Sequence, residues 1–225
     1  MKKKIYSHNS TARIEAFSDG VFAIAITLLI LEIHVPVAKE GESLLAAIFE
    51  EWASFLALLI GFFTLLVCWI NHHYMFSVIK KCDSPLSLIN GFKLLVVTIT
   101  PFATALLSKN IQTPDANAAM SIYFFNFTLM GTAMTCIWLY AKRKGFIQTE
   151  TPAELSAATR LYIFACMLST AIWLISYVNV IGSLVLFGIM FMIFIFPERV
   201  IAWQMKRNEK KEMNVDAEVG TADAQ

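Results

Sequence analysis

Three polar side chains mark the start of the first apolar segment: Arg13, Ser18 and Asp19. The chain that follows them, residues 21–33, is apolar at all but two positions. Charged groups next to lipid are costly, so they usually face a bundle interior or a wet cavity and pair with other polar groups. The pattern therefore predicts an intramembrane helix with a salt-bridged and hydrogen-bonded base.

A second polar cluster lies near the end of the second apolar segment and contains Trp69, Asn71, His72 and His73. Because the second helix returns to the side of the membrane from which the first one starts, both clusters lie at similar depth, and we expect them to share one network. The simpler interpretation of the two histidines is an interfacial pair beside aromatic residues. A metal site is disfavoured because adjacent helical side chains point about 100° apart.

An aliphatic stripe follows the polar base of the first segment at Ile24, Leu28 and Leu31, with Thr27 beside it. These positions share one face of an α-helix. From spacing alone, plain packing or lipid contact is the more common explanation of such a stripe. The functional alternative is a pore lining, in which symmetric copies of the helix form a hydrophobic gate.

The composition requires a membrane protein. Of the 225 residues, 57% are hydrophobic, whereas soluble domains contain about 45–50% apolar residues. The net charge of +1 argues against nucleic acid as a partner. The sequence lacks the common hydrolase, metalloprotease and phosphate-loop motifs, so we expect no enzyme activity. Its four scattered cysteines form no CxxC pair, which disfavours a zinc site or a disulfide framework.

Six apolar segments have about the 20 residues needed to span a bilayer. The predicted helices are Ser18–Val35, Ile48–Phe76, Leu86–Leu107, Ala118–Ala141, Ala157–Tyr177 and Val180–Phe196. We therefore predict an all-α membrane protein in three parts: a cytoplasmic N-terminal segment (1–17), a six-helix transmembrane domain (18–199) and a disordered cytoplasmic tail (200–225).

The distribution of lysine and arginine predicts the orientation. With six spans, fifteen of the eighteen basic residues fall on one side of the membrane and two, Lys39 and Lys109, on the other. Both termini should therefore be cytoplasmic. Lys93 lies inside the third segment, and we expect its side chain to extend toward the cytoplasmic surface.

The motif Arg-x-x-x-Phe-Ser-Asp resembles the signature of the transmembrane protein 175 family, the endolysosomal potassium channels and their prokaryotic homologues. The resemblance extends to a Trp-x-Asn-His element in the second segment and a Pro-Phe pair in the third. It covers about residues 13–199. The residues that match the signature network are Arg13, Phe17, Ser18, Asp19, Trp69, Asn71, His72 and His73.

The resemblance implies a potassium-selective leak channel in the cell membrane, without a cofactor and with potassium as the permeant ion. It implies a homotetramer, surrounded by membrane lipids, in which the first helix lines the pore. Ile24 would form the narrowest ring, Leu28 and Leu31 the next layers, and Thr27 a hydroxyl layer. Because isoleucine cannot replace the hydration shell of an ion as carbonyl oxygens do, we expect only modest selectivity over sodium.

Two other functions are compatible with the residues. A proton-coupled secondary transporter could use Asp19 with His72 or His73. Such transporters often have broken helices around a midplane polar site, whereas the middle of the first segment is continuous and apolar. A membrane scaffold, in which the stripe packs against a partner, is the third possibility.

Overall fold

The structure of the protein is a computed structural model that describes residues 10–33, 35–38, 40–41, 43–149 and 151–207. A 3-10 turn at Leu29–Glu32 continues the first helix, and the described residues contain no β-strand. The helices in chain order are α1 (Ser10–Leu28), α2 (Leu44–Glu50), α3 (Trp52–Val78), α4 (Ser84–Asn110), α5 (Ala116–Lys144), α6 (Pro152–Ser176), α7 (Val180–Phe194) and α8 (Pro197–Arg207).

Six elements can be assigned to the membrane by length and composition. Five are single helices: α1 with its 3-10 turn, α3, α4, α5 and α6. The sixth is the pair α7 and α8, which passes the same criteria only when the two helices are taken together. The prediction of an all-helical, multi-pass membrane protein is confirmed.

The first helix begins and ends earlier than predicted. It is already helical at Ser10, inside the segment assigned to the N-terminal region. After Leu28 the α-helix tightens into the 3-10 turn, so it stops short of the predicted end at Val35. The chain is already extended at Ile33, three residues before Pro36, and Pro36 disfavours a return to helical geometry at Val35.

The second predicted segment is two helices. Its first residues belong to the short α2, which begins with the Ser43 hydroxyl accepting a hydrogen bond from the Ala46 amide over 3.2 Å. The chain leaves helical geometry at Glu51, whose carboxylate accepts a hydrogen bond from the Ser54 hydroxyl over 2.9 Å. Only α3 is long enough to cross the membrane.

The last predicted segment ends in a sharp bend. The α7 and α8 axes differ by 79° across a break at residues 195–196. Pro197 explains the break, since it cannot donate a backbone hydrogen bond and restricts the residue before it. Residues 200–207, predicted to begin the disordered tail, are helical in α8. The remainder of that predicted tail lies outside the described residues.

The first helix packs in the groove between α3 and α4. Phe22 and Ala25 of α1, with Leu29 of the 3-10 turn, are buried in one cluster with Leu65 of α3 and Val97 of α4. A larger apolar cluster contains buried residues of α3, α4, α5, α6 and α7. The core therefore holds one face of α1 and leaves the opposite face outside the bundle.

A glycine permits the closest approach of these helices. A Cβ atom on Gly61 of α3 would lie 2.8 Å from Thr104 Oγ1 of α4 and 3.1 Å from Leu29 Cδ2. Both distances are too short for an ordinary contact. Small residues commonly allow such close helix packing in membranes, so Gly61 brings α3 against α4 and the upper end of α1.

Candidate functional site

The outward face of α1 carries the predicted stripe. Ile24, Leu28 and Leu31 are 62%, 43% and 73% exposed, whereas Phe22 and Ala25 on the opposite face are each 1% exposed. The stripe therefore makes little contact with its own chain. Leu31 falls in the 3-10 turn, so the regular α-helical spacing used to predict the stripe ends at Leu28.

Thr27 lies beside the stripe and is exposed. Its hydroxyl donates a hydrogen bond to the Ile24 carbonyl over 2.9 Å. The donor is therefore used within the helix, while the hydroxyl oxygen keeps its lone pairs for another partner. Thr27 also borders a groove of about 820 Å³ between α1 and α3, which Leu58 and Phe62 line from the α3 side.

At the base of α1, Asp19 is held by α3. Trp69 Nε1 donates a hydrogen bond to Asp19 Oδ1 over 2.8 Å. The Trp69 ring stacks on His73, with centroids 5.8 Å apart and planes 27° apart. The structure thus brings together three predicted residues of the signature network.

A second set of hydrogen bonds joins α1, α3 and α4 inside the bundle. Asn90 Nδ2 donates to Ser18 Oγ over 3.0 Å, and Asn90 Oδ1 lies 3.1 Å from His72 Nε2. Because an amide oxygen only accepts, this geometry assigns the proton to His72 Nε2. The Ser18 hydroxyl donates in turn to the Ile14 carbonyl over 2.8 Å. Ser18, His72 and Asn90 are all buried.

Lys93 lies one turn beyond Asn90 and is fully buried. Its Nζ is 4.7 Å from the centroid of the Phe22 ring and finds no hydrogen-bond partner in the part of the chain that the structure describes. The expectation that Lys93 extends to the cytoplasmic surface is therefore wrong. The face of the Phe22 ring attracts the Lys93 ammonium. The negative charge of Asp19, which lies on α1 with Phe22, also attracts it.

Three predicted network residues lie elsewhere. Arg13 is exposed, and within the described ranges it forms no ion pair with Asp19. Six residues along a helix turn the side chain by about 240°, and Trp69 already occupies the aspartate. Phe17 is 66% exposed. Asn71 faces α7 instead, since its Nδ2 donates to the carbonyls of Val67 and Phe194, both over 2.8 Å.

The sequence analysis did not identify Asn90, whose side chain links α1 and α3 to α4. A usable signal was present, because Asn90 and Lys93 are polar positions three residues apart within an apolar segment. Such positions fall on one helix face. Polar groups inside membrane helices usually face other helices, so this pair marks the side of α4 that packs on α1.

The start of α4 is fixed by two separate hydrogen bonds to Asp83, which lies just before the helix. Asp83 Oδ1 accepts a hydrogen bond from the Leu86 amide over 3.0 Å, and its Oδ2 accepts one from the Tyr140 hydroxyl over 2.8 Å. Burial raises the pKa of the neighbouring Cys82 thiol, and a hydrogen bond with Ser87 partly opposes the rise. Among the described residues, no three side chains of the metal-binding types gather into a site.

The sequence is similar to proteins of a known family. A family model described as the endosomal/lysosomal potassium channel TMEM175 matches residues 13–101. The matched region contains Arg13, the rest of α1, all of α3 and most of α4. It therefore includes every residue of the base network described above.

Individual relatives cover more of the chain. A potassium channel of Chamaesiphon minutus is 39% identical over 176 residues, which are 76% of this chain and 87% of that protein. The crystal structure of a lysosomal potassium-selective channel TMEM175 homolog from the same organism has a TM-score of 0.74 at 37% identity, over 86% of this chain and 98% of its own. The endosomal/lysosomal proton channel TMEM175 of Bos taurus is 42% identical over 142 residues, 56% of this chain and 30% of that protein.

Proposed function

This chain belongs to the transmembrane protein 175 family of ion channels, and from that membership we propose that it is a potassium-selective leak channel of the cell membrane. The observation that carries the proposal is the exposed stripe on α1. Ile24 and Leu28 of α1 and Leu31 of its 3-10 turn point away from the bundle, while hydrogen bonds to α3 and α4 hold the base of the same helix. Bacterial relatives named as potassium channels support the choice of ion.

The stripe needs copies of itself to enclose a path. One chain offers one such helix, so the pore requires an oligomer, and closed rotational symmetry is the usual solution. We propose a homotetramer in which four α1 helices surround the axis. The exposure of Phe17, Ile24 and Leu31 supports this arrangement, since it leaves a continuous apolar face for contact between subunits.

Ile24 forms the constriction in this proposal, followed by the layers of Leu28 and Leu31. An aliphatic ring offers no oxygen ligands, so a passing cation keeps much of its water or loses it at a cost. Potassium dehydrates more readily than sodium, which makes the preference for potassium modest. Thr27, with a hydroxyl oxygen still able to accept, contributes a polar layer beside the stripe.

The hydrogen bonds at the base set the position of the pore helix. Asp19 is bound to α3 and Ser18 to α4 through Asn90. Ser18 and Asp19 both belong to the motif and precede Ile24 by six and five residues. The signature residues therefore act as positioning residues, with both chain termini on the cytoplasmic side.

A proton-coupled transporter remains the second candidate, and the naming of the Bos taurus relative as a proton channel is compatible with proton movement. Asp19 and His73 both contact Trp69. His72, in contrast, is bonded to Asn90 in a separate buried set. Because α1 is unbroken from Ser10 to Leu28, the discontinuous helix typical of secondary transporters is missing from the described part of the chain at this site.

Cation flux into liposomes tests the proposal. Purified protein should pass potassium down its gradient faster than sodium, without an imposed proton gradient. Ile24→Asn should raise total cation flux and reduce the preference for potassium, because an amide wets and widens the ring. Ile181→Asn is the matched control, since Ile181 is 76% exposed at the start of α7, far along the chain from the stripe.

Each proposal has a distinct contrary result. A folded Ile24→Asn variant with unchanged flux and selectivity would remove Ile24 from the constriction. Flux that requires a proton gradient would favour the transporter, and no flux would favour a scaffold. A particle that is monomeric and still conducts would exclude the tetrameric pore.

A further inference from the structure

The last helix of the described chain, α8, turns away from the direction in which α7 crosses the membrane. The two axes differ by 79° across the break at residues 195–196. From Val180 to the end of that break, a helical rise of 1.5 Å per residue gives about 25 Å, which is most of the hydrocarbon core of about 30 Å. With α7 along the bilayer normal, α8 changes depth by only about 3 Å over its length of about 16 Å. It therefore runs nearly parallel to the membrane surface, at the depth where α7 ends.

One face of α8 packs against the bundle and thereby fixes the direction of the other. Ile201 is 3% exposed and belongs to the larger apolar cluster, with Val200 and Met205 packed beside it. The opposite face is exposed and contains three cations and one acid, a net charge of +2. Its residues are Glu198, Arg199, Ala202, Trp203, Lys206 and Arg207. The sixth membrane element thus ends in a basic surface that points away from the bundle.

Each arginine on this face lies over an aromatic ring. The Arg199 Cζ atom is 4.5 Å from the centroid of the Phe196 ring, and the Arg207 Cζ atom is 5.3 Å from that of the Trp203 ring. The two aromatic residues remain 45% and 59% exposed. Neither guanidinium forms a salt bridge with any residue that the structure describes, so both keep N–H donors for an outside partner.

The chemistry of this face fits an anionic lipid. A guanidinium binds phosphate oxygens through two parallel hydrogen bonds, and basic residues beside a membrane are attracted to anionic lipids. Tryptophan is enriched at the depth of the headgroups, and helices that lie in this plane combine basic residues with Trp or Phe. A soluble acidic protein could pair with the arginines, but the depth of α8 already places headgroups beside them.

We propose that α8 is an interfacial helix whose Arg199 and Arg207 bind the phosphates of anionic lipids, with Phe196 and Trp203 inserted among the headgroups. This surface is separate from the stripe and from the base network. Lipid binding at α8 can therefore be measured without ion flux, and its failure would leave the proposed channel function untouched.

Spin labelling of the full-length chain tests the position of α8. In a background without the four free cysteines, a nitroxide is attached at Trp203→Cys in liposomes that contain phosphatidylglycerol. Because oxygen concentrates in lipid and a nickel chelate stays in water, the ratio of oxygen to nickel relaxation should be higher at this position than at Gln112→Cys. Gln112 is the control, since it is exposed between α4 and α5. Equal ratios would place α8 in water, and a label shielded from both reagents would indicate a protein contact; either result would overturn the proposal.

Photolabelling tests the preference for anionic lipid. Phosphatidylglycerol and phosphatidylcholine probes, each with a diazirine beside the headgroup, are compared in the same liposomes. The phosphatidylglycerol probe should label the peptide that contains α8 more strongly. Arg199→Gln and Arg207→Gln should each reduce this preference by about five-fold, the usual effect of one basic residue at an anionic surface. Arg199→Lys and Arg207→Lys keep the charge and should retain most of it.

A matched loss of charge elsewhere provides the control. Lys81→Gln combined with Arg143→Gln removes two exposed cations on the same side of a six-span chain, and it should leave the labelling of α8 unchanged. Equal labelling of α8 by the two probes, or the same loss of preference in the control pair, would overturn the assignment of lipid binding to this helix.

Discussion

Lys93 Nζ of α4 lies 4.7 Å from the centroid of the Phe22 ring on α1, and no described hydrogen-bond acceptor contacts it. A buried ammonium pays a large desolvation cost, and replacing buried charges by apolar groups of similar size is often neutral or stabilising. The side chain therefore occupies a position where stability alone would favour a hydrophobic residue.

Lys93→Met should leave the free energy of unfolding unchanged or raise it by up to about 4 kcal/mol. Unfolding of the purified protein in mixed detergent micelles would measure the change. Lys109→Met is the matched control, because Lys109 is exposed on the same helix and should change stability by less than about 0.5 kcal/mol. A clear loss of stability in Lys93→Met alone would show that the ring contact and Asp19 outweigh desolvation.

Trp69 and Asp19 should be energetically coupled. Trp69→Phe removes the Nε1 donor and Asp19→Asn removes the charge of the acceptor, so the double variant should lose about 1 kcal/mol less than the sum of the two single losses. The estimate is kept small because the contact is exposed. A thermodynamic cycle on unfolding free energies measures the coupling.

The contrasting cycle uses Arg13→Gln with Asp19→Asn. Because these two residues form no ion pair within the described chain, their losses should add to within about 0.5 kcal/mol. Additive losses for the tryptophan pair, or strong coupling for the arginine pair, would contradict the contacts seen at the base of α1.

The bond between His72 and Asn90 predicts a rescue. Asn90→Leu should destabilise the protein by about 1–3 kcal/mol, because it leaves the buried His72 Nε2 proton without an acceptor. Adding His72→Phe removes that donor and keeps an aromatic ring near Phe76, whose centroid lies 4.5 Å from that of His72. The double variant should therefore be more stable than Asn90→Leu alone.

Thermal unfolding of the single and double variants measures this rescue. Asn110→Leu serves as the control, since Asn110 is partly buried at the end of α4 and bonds only locally, to the Leu106 carbonyl. His72→Phe that worsens the Asn90→Leu variant would show that the histidine has another essential partner.

The proposed orientation can be tested by cysteine accessibility. In a background without the four free cysteines, Lys109→Cys should react with a membrane-impermeant maleimide on intact cells. Lys81→Cys should react only after permeabilisation, because the excess of basic residues places it on the cytoplasmic side. Both lysines are exposed, so burial does not limit either reaction. The reverse pattern would invert the topology.

Hydropathy was sufficient to predict the helical architecture but not every boundary. Long apolar runs specify helices that cross a membrane, and five of the six segments contain one helix that is long enough to do so. The break at Glu51 and the bend before Pro197 were missed because an average over a window hides a single residue that ends a helix. Proline carried a local signal for the bend.

The face of a helix is harder to predict than its existence. The shared helix face of Ile24 and Leu28 followed from spacing, and the link between the bases of α1 and α3 followed from the predicted topology. Asn90 was not found, because its importance comes from the position of α4 against α1 and not from its neighbours in sequence. The predicted ion pair between Arg13 and Asp19 is wrong for the same reason, since Trp69 of α3 donates a hydrogen bond to the Asp19 carboxylate instead.

The two ends of α1 are attached by different kinds of force. At Ser18 and Asp19 the attachment is directional, through hydrogen bonds of 3.0 Å and 2.8 Å. Above them, Phe22, Ala25 and Leu29 are held by apolar contact, which tolerates sliding far better than a hydrogen bond does. The helix is thus fixed in direction at the motif and held by apolar packing alone toward its 3-10 turn, where Leu29 is buried. A small tilt about Ser18 and Asp19 moves Leu31 farther than Ile24, so the width of the proposed pore would change most at the end remote from the motif.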